Sequence, residues 1–269
     1  MHIDLLLLLA LSWGGAARAQ DAAQAADKPV HVRKMTLTAS DLAESELQPI
    51  AASLEGGTYT VDALHDRIEL KLHDDGYYFA HAAVPQLADV RQEGAARSAD
   101  VSVAVQAGSQ YRMGEISFRG TTAFPKERMR SAFPIQAGSI FSPSAVATGM
   151  EHLKNLYESD GYADVGAVPA NVVDDARHVI DISVEIEEGL PYLFGPLTLQ
   201  GDEPAAGASR TLLAAWKEIE GKRYSPDVLK KWLAAHAPKS APGAPPLHPH
   251  AEGIADSDAH LMDIRLSFE

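Results

Sequence analysis

The sequence predicts an α+β fold of three similar modules in tandem, each with the order strand, helix, helix, strand, strand. The main observation is a repeat, because residues 111–120 (YRMGEISFRG) return 81 positions later at residues 192–201 (YLFGPLTLQG). Met35 stands the same 81 positions before Ile116. Apolar residues within the repeats alternate as in half-buried strands, or recur every three to four positions as in helices. A chain of like modules directs the search for function to their surfaces and not to one cleft.

The first module is predicted over residues 30–110. Its pattern of apolar residues and breakers indicates five elements. They are a strand through Met35 and Leu37, a helix with Leu47, Ile50 and Leu54 on one face, a helix from Thr60 to a stop at Gly76, a strand over residues 77–84 limited by Pro85, and a strand with alternating Val101, Val103 and Val105. The alternation is typical of strands that are buried on one side only.

The second module, residues 111–191, shows the same order more clearly. Its second helix is predicted to start at Ser142-Pro143, since a serine oxygen can cap free amides and proline fits the first helical position. Gly161 is expected to end that helix in a left-handed conformation. The other elements are a strand through Ile116 and Phe118, a short helix over residues 124–133, a strand over residues 162–173, and a strand with alternating Ile180, Ile182, Val184 and Ile186.

The third module, residues 192–269, begins in the same way and then departs from the pattern. Leu197 and Leu199 mark a strand, and Gly221 to Pro226 repeats the step that opens the second helix. A proline-rich run over residues 237–249 replaces the expected glycine-tyrosine stop. Because prolines exclude a central strand there, the second strand is expected to be lost or shortened. Alternating apolar residues over 262–268 still predict a last strand.

The N-terminus is typical of a secretory signal peptide over residues 1–19, followed by a tether over residues 20–29. Residues 5–11 form a short apolar run, and Ala17-Arg18-Ala19 supplies a small-x-small cleavage pattern. The alternative is an apolar helix buried in the fold. No later segment approaches about 18 apolar residues, so no transmembrane helix is expected.

The composition excludes several classes of function. The chain has no cysteine, which rules out disulfides and thiolate sites. Its net charge of −14 makes it a poor binder of nucleic-acid backbones, so no nucleic-acid partner is expected. We find no pattern typical of a nucleophile, a phosphate loop or a metalloprotease helix, and therefore expect no catalytic residue and no cofactor. His236, His248, His250 and His260 lie in or near the proline-rich run, which gives a metal no rigid geometry, so no metal site is expected.

Four motifs of the second module together resemble those of a polypeptide-transport-associated (POTRA) domain. The family has a Phe-x-Gly strand end, a Gly-x-x-Phe-Ser helix start, a helix that ends in Leu-x-x-Leu-Tyr-x-x-x-Gly-Tyr, and a final Val-x-Glu-Gly. The matching segments are residues 118–120 (FRG), 138–142 (GSIFS), 153–162 (LKNLYESDGY) and 184–189 (VEIEEG). The first module matches in outline, and the third matches only through its second helix.

The resemblance implies modules with a three-stranded mixed sheet and two helices on one face, located in the periplasm. It implies a non-enzymatic interaction scaffold whose partners are outer-membrane β-barrel assembly proteins or unfolded outer-membrane clients. Such modules precede a barrel of about sixteen strands in the outer-membrane assembly family, which this chain is too short to contain, so an array without the pore is expected. The alternatives are a scaffold of another envelope or division complex, the soluble half of a split barrel protein, and an enzyme with a composite site. The oligomeric state is left open.

The resemblance also places the second strand of each module at a sheet edge. An edge offers unpaired N–H and C=O groups, and an incoming strand can satisfy them without a particular sequence. The candidate partner-binding residues are Tyr77, Phe79, His81, Ala83, Tyr162, Asp164, Val165 and Val168. The alternative is that Tyr77 and Tyr162 only attach a helix to the sheet, and that Pro85 and Pro169 blunt the edge.

Overall fold

The computed structural model describes residues 28–93, 96–201, 207–238 and 248–268. The predicted signal peptide and most of the tether lie outside these described residues. By its contacts the chain divides into two compact units. The first unit holds the whole first sheet, and the second holds the third sheet and most of the second.

The first sheet contains five strands and packs against two helices. The elements are β1 (Val30–Ala39), α1 (Glu44–Leu54), β2 (Thr58–Tyr59), α2 (Val61–Asp74), β3 (His81–Ala82), β4 (Gln86–Glu93) and β5 (Ala96–Gln106). β5 is central, with β1 parallel on one side and β3 and β4 antiparallel on the other. The sheet is therefore mixed, as predicted, but it has five strands and not three, because the short β2 and β3 also pair with β1 and β5.

A bulge in β1 keeps its apolar residues on the core side. Val30 and Val32 are buried, and strict alternation would turn Lys34 inward next. The pairing with β5 shifts between Val32 and Lys34, so that Met35 is buried instead. The core joins one face of β1 and β5 to both helices, which confirms helices on one face of this sheet.

The second sheet has three strands in the order β6-β8-β7. Its elements are β6 (Arg112–Arg119), α3 (Lys126–Arg130), α4 (Pro143–Glu158), β7 (Gly166–Asp174) and β8 (Val179–Glu187). Aromatic rings fill its core: Phe124 and Tyr157 pack edge to face at 4.9 Å, and Phe118 lies 5.9 Å from Phe133. Gly149 on α4 faces the Phe133 ring so closely that a side chain there would overlap it.

The third sheet has the order β10-β11-β9, with β11 parallel to β9 and antiparallel to β10. Its elements are β9 (Leu193–Leu199), α5 (Ala208–Trp216), α6 (Pro226–His236), β10 (Pro249–Asp256) and β11 (Leu261–Phe268). Trp216 and Trp232 meet at 4.9 Å in the core, and the Trp216 indole donates to the Gly195 carbonyl at 2.9 Å.

The prediction that this module loses or shortens its second strand is wrong. β10 spans eight residues and pairs with β11 from Pro249 to Asp256. Proline is tolerated here because Pro249 is the first residue of a strand at the edge of the sheet.

The second strands of the other two modules begin later than predicted. In the segment predicted over residues 77–84, only His81 and Ala82 are strand, and β4 follows in a stretch predicted as loop. Likewise β7 begins at Gly166 and not at Tyr162. The reason is that both segments first close a helix, since the amides of Tyr77 and Tyr162 donate to Leu72 and Tyr157 carbonyls five residues earlier. Each closure uses a glycine with positive φ, +87° at Gly76 and +91° at Gly161.

Candidate functional site

The two edges of each sheet differ in how well their backbone groups are paired. The first-strand edge is the outer side of β1, β6 or β9, and the second-strand edge is the outer side of β4, β7 or β10. Unpaired edge groups are where an additional strand attaches. The comparison of these edges therefore decides where strand addition is possible.

Each first-strand edge is closed near its start by a turn from the same module. The turn lies between the two helices and begins at a glycine with positive φ: Gly56, Gly138 or Gly221. Both backbone groups of one buried residue are satisfied in each case, and these residues are spaced by 81. The bonds are Val32 N to Gly57 O (2.9 Å) and Gly56 N to Val32 O (2.8 Å), Met113 N to Ser139 O (2.9 Å) and Gly138 N to Met113 O (2.7 Å), and Phe194 N to Lys222 O (2.8 Å) and Gly221 N to Phe194 O (2.8 Å).

On β1 a side chain extends this closure. The Met35 amide, three residues after Val32, donates to a carboxylate oxygen of Glu55 at 2.8 Å. From the sequence we expected the glycines of these turns only to end or begin a helix, and their pairing with a strand more than 20 residues earlier was not predicted.

The second-strand edges have no comparable cover in the described part of the chain. Within those residues, no backbone hydrogen bond from a turn reaches β4, β7 or β10. They also expose apolar side chains, and the most exposed are Val168 (68%) and Val172 (54%) on β7. Val90 on β4 and Ile254 on β10 are exposed in the same way.

β7 is the least protected of the three second-strand edges. Charged residues commonly blunt an edge, and β4 carries Asp89 and Arg91 while β10 carries Glu252. From Gly166 to Val173, β7 has no charged residue, and Pro169 is its one blunting feature. The edge of β7 is therefore the strongest candidate for strand addition.

The predicted partner-binding residues fall into different places. Tyr77 and Tyr162 are buried in the core, and Phe79 lies exposed in the turn before β3. The others lie on or next to the second-strand edges: His81 in β3, Ala83 just after it with its amide on the Ala104 carbonyl, Asp164 and Val165 in the turn before β7, and Val168 in β7.

Sequence reasoning identified Val168 on β7 but missed Val172 and the apolar edge residues of β4 and β10. In β4 the signal is broken, because Asp89 has a positive φ of 48° and the pairing with β5 shifts between Ala88 and Arg91. The apolar residues therefore do not alternate evenly. In β10 the strand is exposed on both faces and so has no apolar periodicity to detect.

A carboxylate cluster fixes the loop that follows β6. Glu188 accepts hydrogen bonds from the Thr121 hydroxyl, from the amide and hydroxyl of Thr122, from the Ala123 amide and from the Tyr157 hydroxyl, at 2.8–2.9 Å. Partial burial opposes its ionisation, but the donors of Ala123, Thr122 and Thr121 outweigh burial and lower the pKa of Glu188 to about 2. Burial, with the nearby carboxylate, raises the pKa of Tyr157 to about 12. The glutamate of the final sequence motif thus anchors a loop and shows no sign of acid–base chemistry.

Neither a metal centre nor a membrane helix is visible in the described residues. Among them, no group of three or more His, Asp or Glu side chains is placed to hold a metal ion. No described helix is both long and apolar enough to cross a membrane.

The sequence model of one family matches residues 111–189, which hold the second sheet and its helices. That family is POTRA, described as a surface antigen variable number repeat. Residues 111–189 are thus similar to a POTRA domain. The match begins at Tyr111 and ends at Gly189, the glycine after the Glu188 anchor.

Two known proteins extend the likeness beyond this segment. Outer membrane protein assembly factor BamA of Buchnera aphidicola subsp. Acyrthosiphon pisum (strain APS) is 28% identical over 116 residues, which are 39% of this chain and 19% of that protein. The chain thus spans about a fifth of that relative's length. The crystal structure of Haemophilus influenzae BamA POTRA3-5 covers 90% of this chain and 96% of its own, with a TM-score of 0.55 at 14% identity. At that identity the match shows the fold alone, and it confirms the predicted α+β fold of POTRA type.

Proposed function

We propose that this protein is a non-enzymatic periplasmic scaffold that acts in outer-membrane protein assembly or secretion. It binds extended segments of partner barrel-assembly proteins or of unfolded outer-membrane clients by strand addition. Residues 1–19 direct export, residues 20–29 tether the array, and residues 30–110, 111–191 and 192–269 form its modules. The POTRA match and the likeness to an outer membrane protein assembly factor support this context.

The inequality of the two sheet edges carries the proposal. Each first-strand edge is closed near its start by a turn that begins at Gly56, Gly138 or Gly221, while no such turn bonds a second-strand edge among the described residues. A protein that merely avoided aggregation would protect both edges, since any free edge is a liability. One closed and one open side suits a surface that receives a strand in a defined place.

Backbone pairing, and not a shaped pocket, is the expected source of affinity. The outward groups of β7 would bond an incoming strand, while Val168 and Val172 would contact its apolar side chains. Such a surface accepts many sequences, provided that they are extended and lack charge at the facing positions.

The test uses a peptide of about eight residues with alternating valine and threonine, a typical strand length. We expect it to shift the backbone NMR signals of β7 in the intact protein, and a version with N-methylated amides on alternate residues to lose binding. N-methylation leaves the side chains in place, but it removes backbone donors and its methyl groups block close approach of the facing strand. Equal binding of both peptides would rule out strand addition.

Matched protein variants locate the site. Val168→Lys and Val172→Lys place a charge on the β7 edge and should weaken peptide binding at least tenfold. Val228→Lys changes an exposed valine on helix α6 and should leave binding unchanged. Loss of binding in all three variants, or in none, would contradict the assignment to β7.

A further inference from the structure

The turn that leads into β7 is held by a tyrosine from the start of the third module. The Tyr192 amide donates to the Gly161 carbonyl at 2.8 Å. Its hydroxyl donates to a carboxylate oxygen of Asp164 at 2.6 Å and contacts the Ser257 hydroxyl at 3.2 Å. Tyr192 is fully buried, so its position is set by the core around it. The backbone amide and the side-chain hydroxyl of Tyr192 thus hold the turn of residues 161–165 at two points.

Neighbouring contacts hold the same turn. Ala163 packs against the hydrophobic core of the third sheet. Arg223 pairs with Asp160 at 2.7 Å, and its guanidinium lies 5.5 Å from the centre of the Tyr162 ring. The ion pair is half exposed and contributes little alone, so the buried Tyr192 is the main attachment.

The equivalent tyrosine one repeat earlier is attached differently. The Tyr111 amide donates to the Gly76 carbonyl at 2.8 Å, as in the later repeat. Its hydroxyl, however, donates to Asp175 at 2.6 Å, in the turn between β7 and β8. The turn before β3 offers only Phe79, whose ring lies 5.6 Å from that of Tyr111.

The carboxylates that accept from the two tyrosines therefore lie in different turns of the module. The turn after the helix has equivalent positions in the two repeats, Phe79 and Asp164, each three residues after the helix-ending glycine. The hairpin turn also has equivalent positions, Asp175 and Ser257. Each lies three residues before a histidine with positive φ, His178 or His260. In the earlier repeat the acid lies in the hairpin turn. In the later repeat it lies in the turn that leads into the strand. A single carboxylate is enough to accept from each buried hydroxyl. The hydroxyl itself therefore does not determine which of the two turns carries that carboxylate.

We propose that Asp164 and Tyr192 are positioning residues for the β7 edge, and that the third module thereby holds that edge ready for an incoming strand. The proposal rests on the proposed function and deepens it, because it explains why the least guarded edge is also the one attached at its start. A flexible strand would lose conformational freedom on binding, and holding it in place beforehand removes part of that cost. The hydrogen bond to Asp164 also raises the pKa of the Tyr192 hydroxyl, which keeps it a donor.

The decisive variant moves the carboxylate without removing it. Asp164→Ala leaves the Tyr192 hydroxyl without its acid. Asp164→Ala combined with Ser257→Asp restores an acid at the hairpin turn, as in the earlier repeat, but leaves the turn before β7 free. Tyr111→Phe is the matched control, since it removes the equivalent hydroxyl, which holds the turn after β7 and not the turn before it.

Hydrogen exchange of the β7 amides and the thermal midpoint separate positioning from stability. We expect the double variant to regain the thermal midpoint lost in Asp164→Ala, while exchange over residues 166–170 stays about tenfold faster than in the wild type. Peptide affinity should fall by a similar factor in both. Tyr111→Phe should leave exchange over residues 166–170 unchanged.

If exchange and affinity recover together with the thermal midpoint in the double variant, Asp164 has only a structural role and the proposal is overturned. The same holds if Asp164→Ala leaves β7 exchange unchanged. If the wild type fails to bind the peptide, strand addition is refuted, and the exchange measurement still decides whether Asp164 positions β7.

Discussion

Replacing Glu188 by glutamine is the sharpest test of the anchor after β6. The change keeps the size of the side chain but removes its charge and puts an NH₂ group toward the donors of Thr122 and Ala123. A shift of the pKa from 4.5 to about 2 corresponds to an upper value of about 3.4 kcal/mol. Because Glu188 is still partly open to water, screening reduces this, and we expect a destabilisation of about 1–2 kcal/mol at pH 7.

The sign of the pH dependence follows from the depressed pKa. The stabilisation by ionised Glu188 is complete above the unfolded pKa of about 4.5 and is lost as the pH falls toward 2. The difference between wild type and Glu188→Gln should therefore be largest near pH 7 and shrink below about pH 4.

The assay is hydrogen exchange at the amides of Thr122 and Ala123, together with urea unfolding at several pH values. Glu187→Gln is the control, since Glu187 is the exposed neighbour at the end of β8. A difference that stays constant from pH 7 to pH 3, or one equal to that of the control, would refute the electrostatic reasoning.

Three glycines give further predictions: Gly161 after helix α4, Gly221 before helix α6 and Gly149 within helix α4. Gly161→Ala should destabilise by about 2–3 kcal/mol, since a Cβ would lie 2.9 Å from the Tyr224 carbonyl and φ is +91°. Gly221→Ala, with φ +74° and open space around it, should cost only about 1 kcal/mol, and urea unfolding compares the two. Gly149→Ala should cost about 1–3 kcal/mol by displacing the Phe133 ring, visible as a lower thermal midpoint; an unchanged midpoint would contradict the packing.

The repeat and the local signals were enough to predict most of the fold. The helix start at Thr60 is confirmed by its hydroxyl, which accepts the Ala63 amide at 3.2 Å, and the left-handed stop at Gly161 is confirmed by its φ. Such features depend on a few neighbouring residues and can be recognised in one dimension. The central strands alternate cleanly because one of their faces is buried.

What the sequence did not predict depends on contacts across the fold. β7 starts late because the Tyr162 amide donates to a carbonyl of the preceding helix. From the sequence alone, that amide could equally have paired with a neighbouring strand. The extent of β10 was missed because an exposed edge strand needs no apolar pattern. The residues that accept the hydroxyl hydrogen bonds of Tyr111 and Tyr192 lie more than 25 residues away along the chain. No spacing within either segment predicts these partners.

The glycine turns that close one side of every sheet also limit how copies of the chain can associate. A sheet open on both sides could pair with a neighbour on each, and head-to-tail contacts that do not close grow into filaments. With a single receptive side on each sheet, two sheets that pair edge to edge leave no receptive edge for a third, and growth through that sheet ends at the pair. The glycines between the two helices of each module thus limit edge-to-edge growth of each sheet.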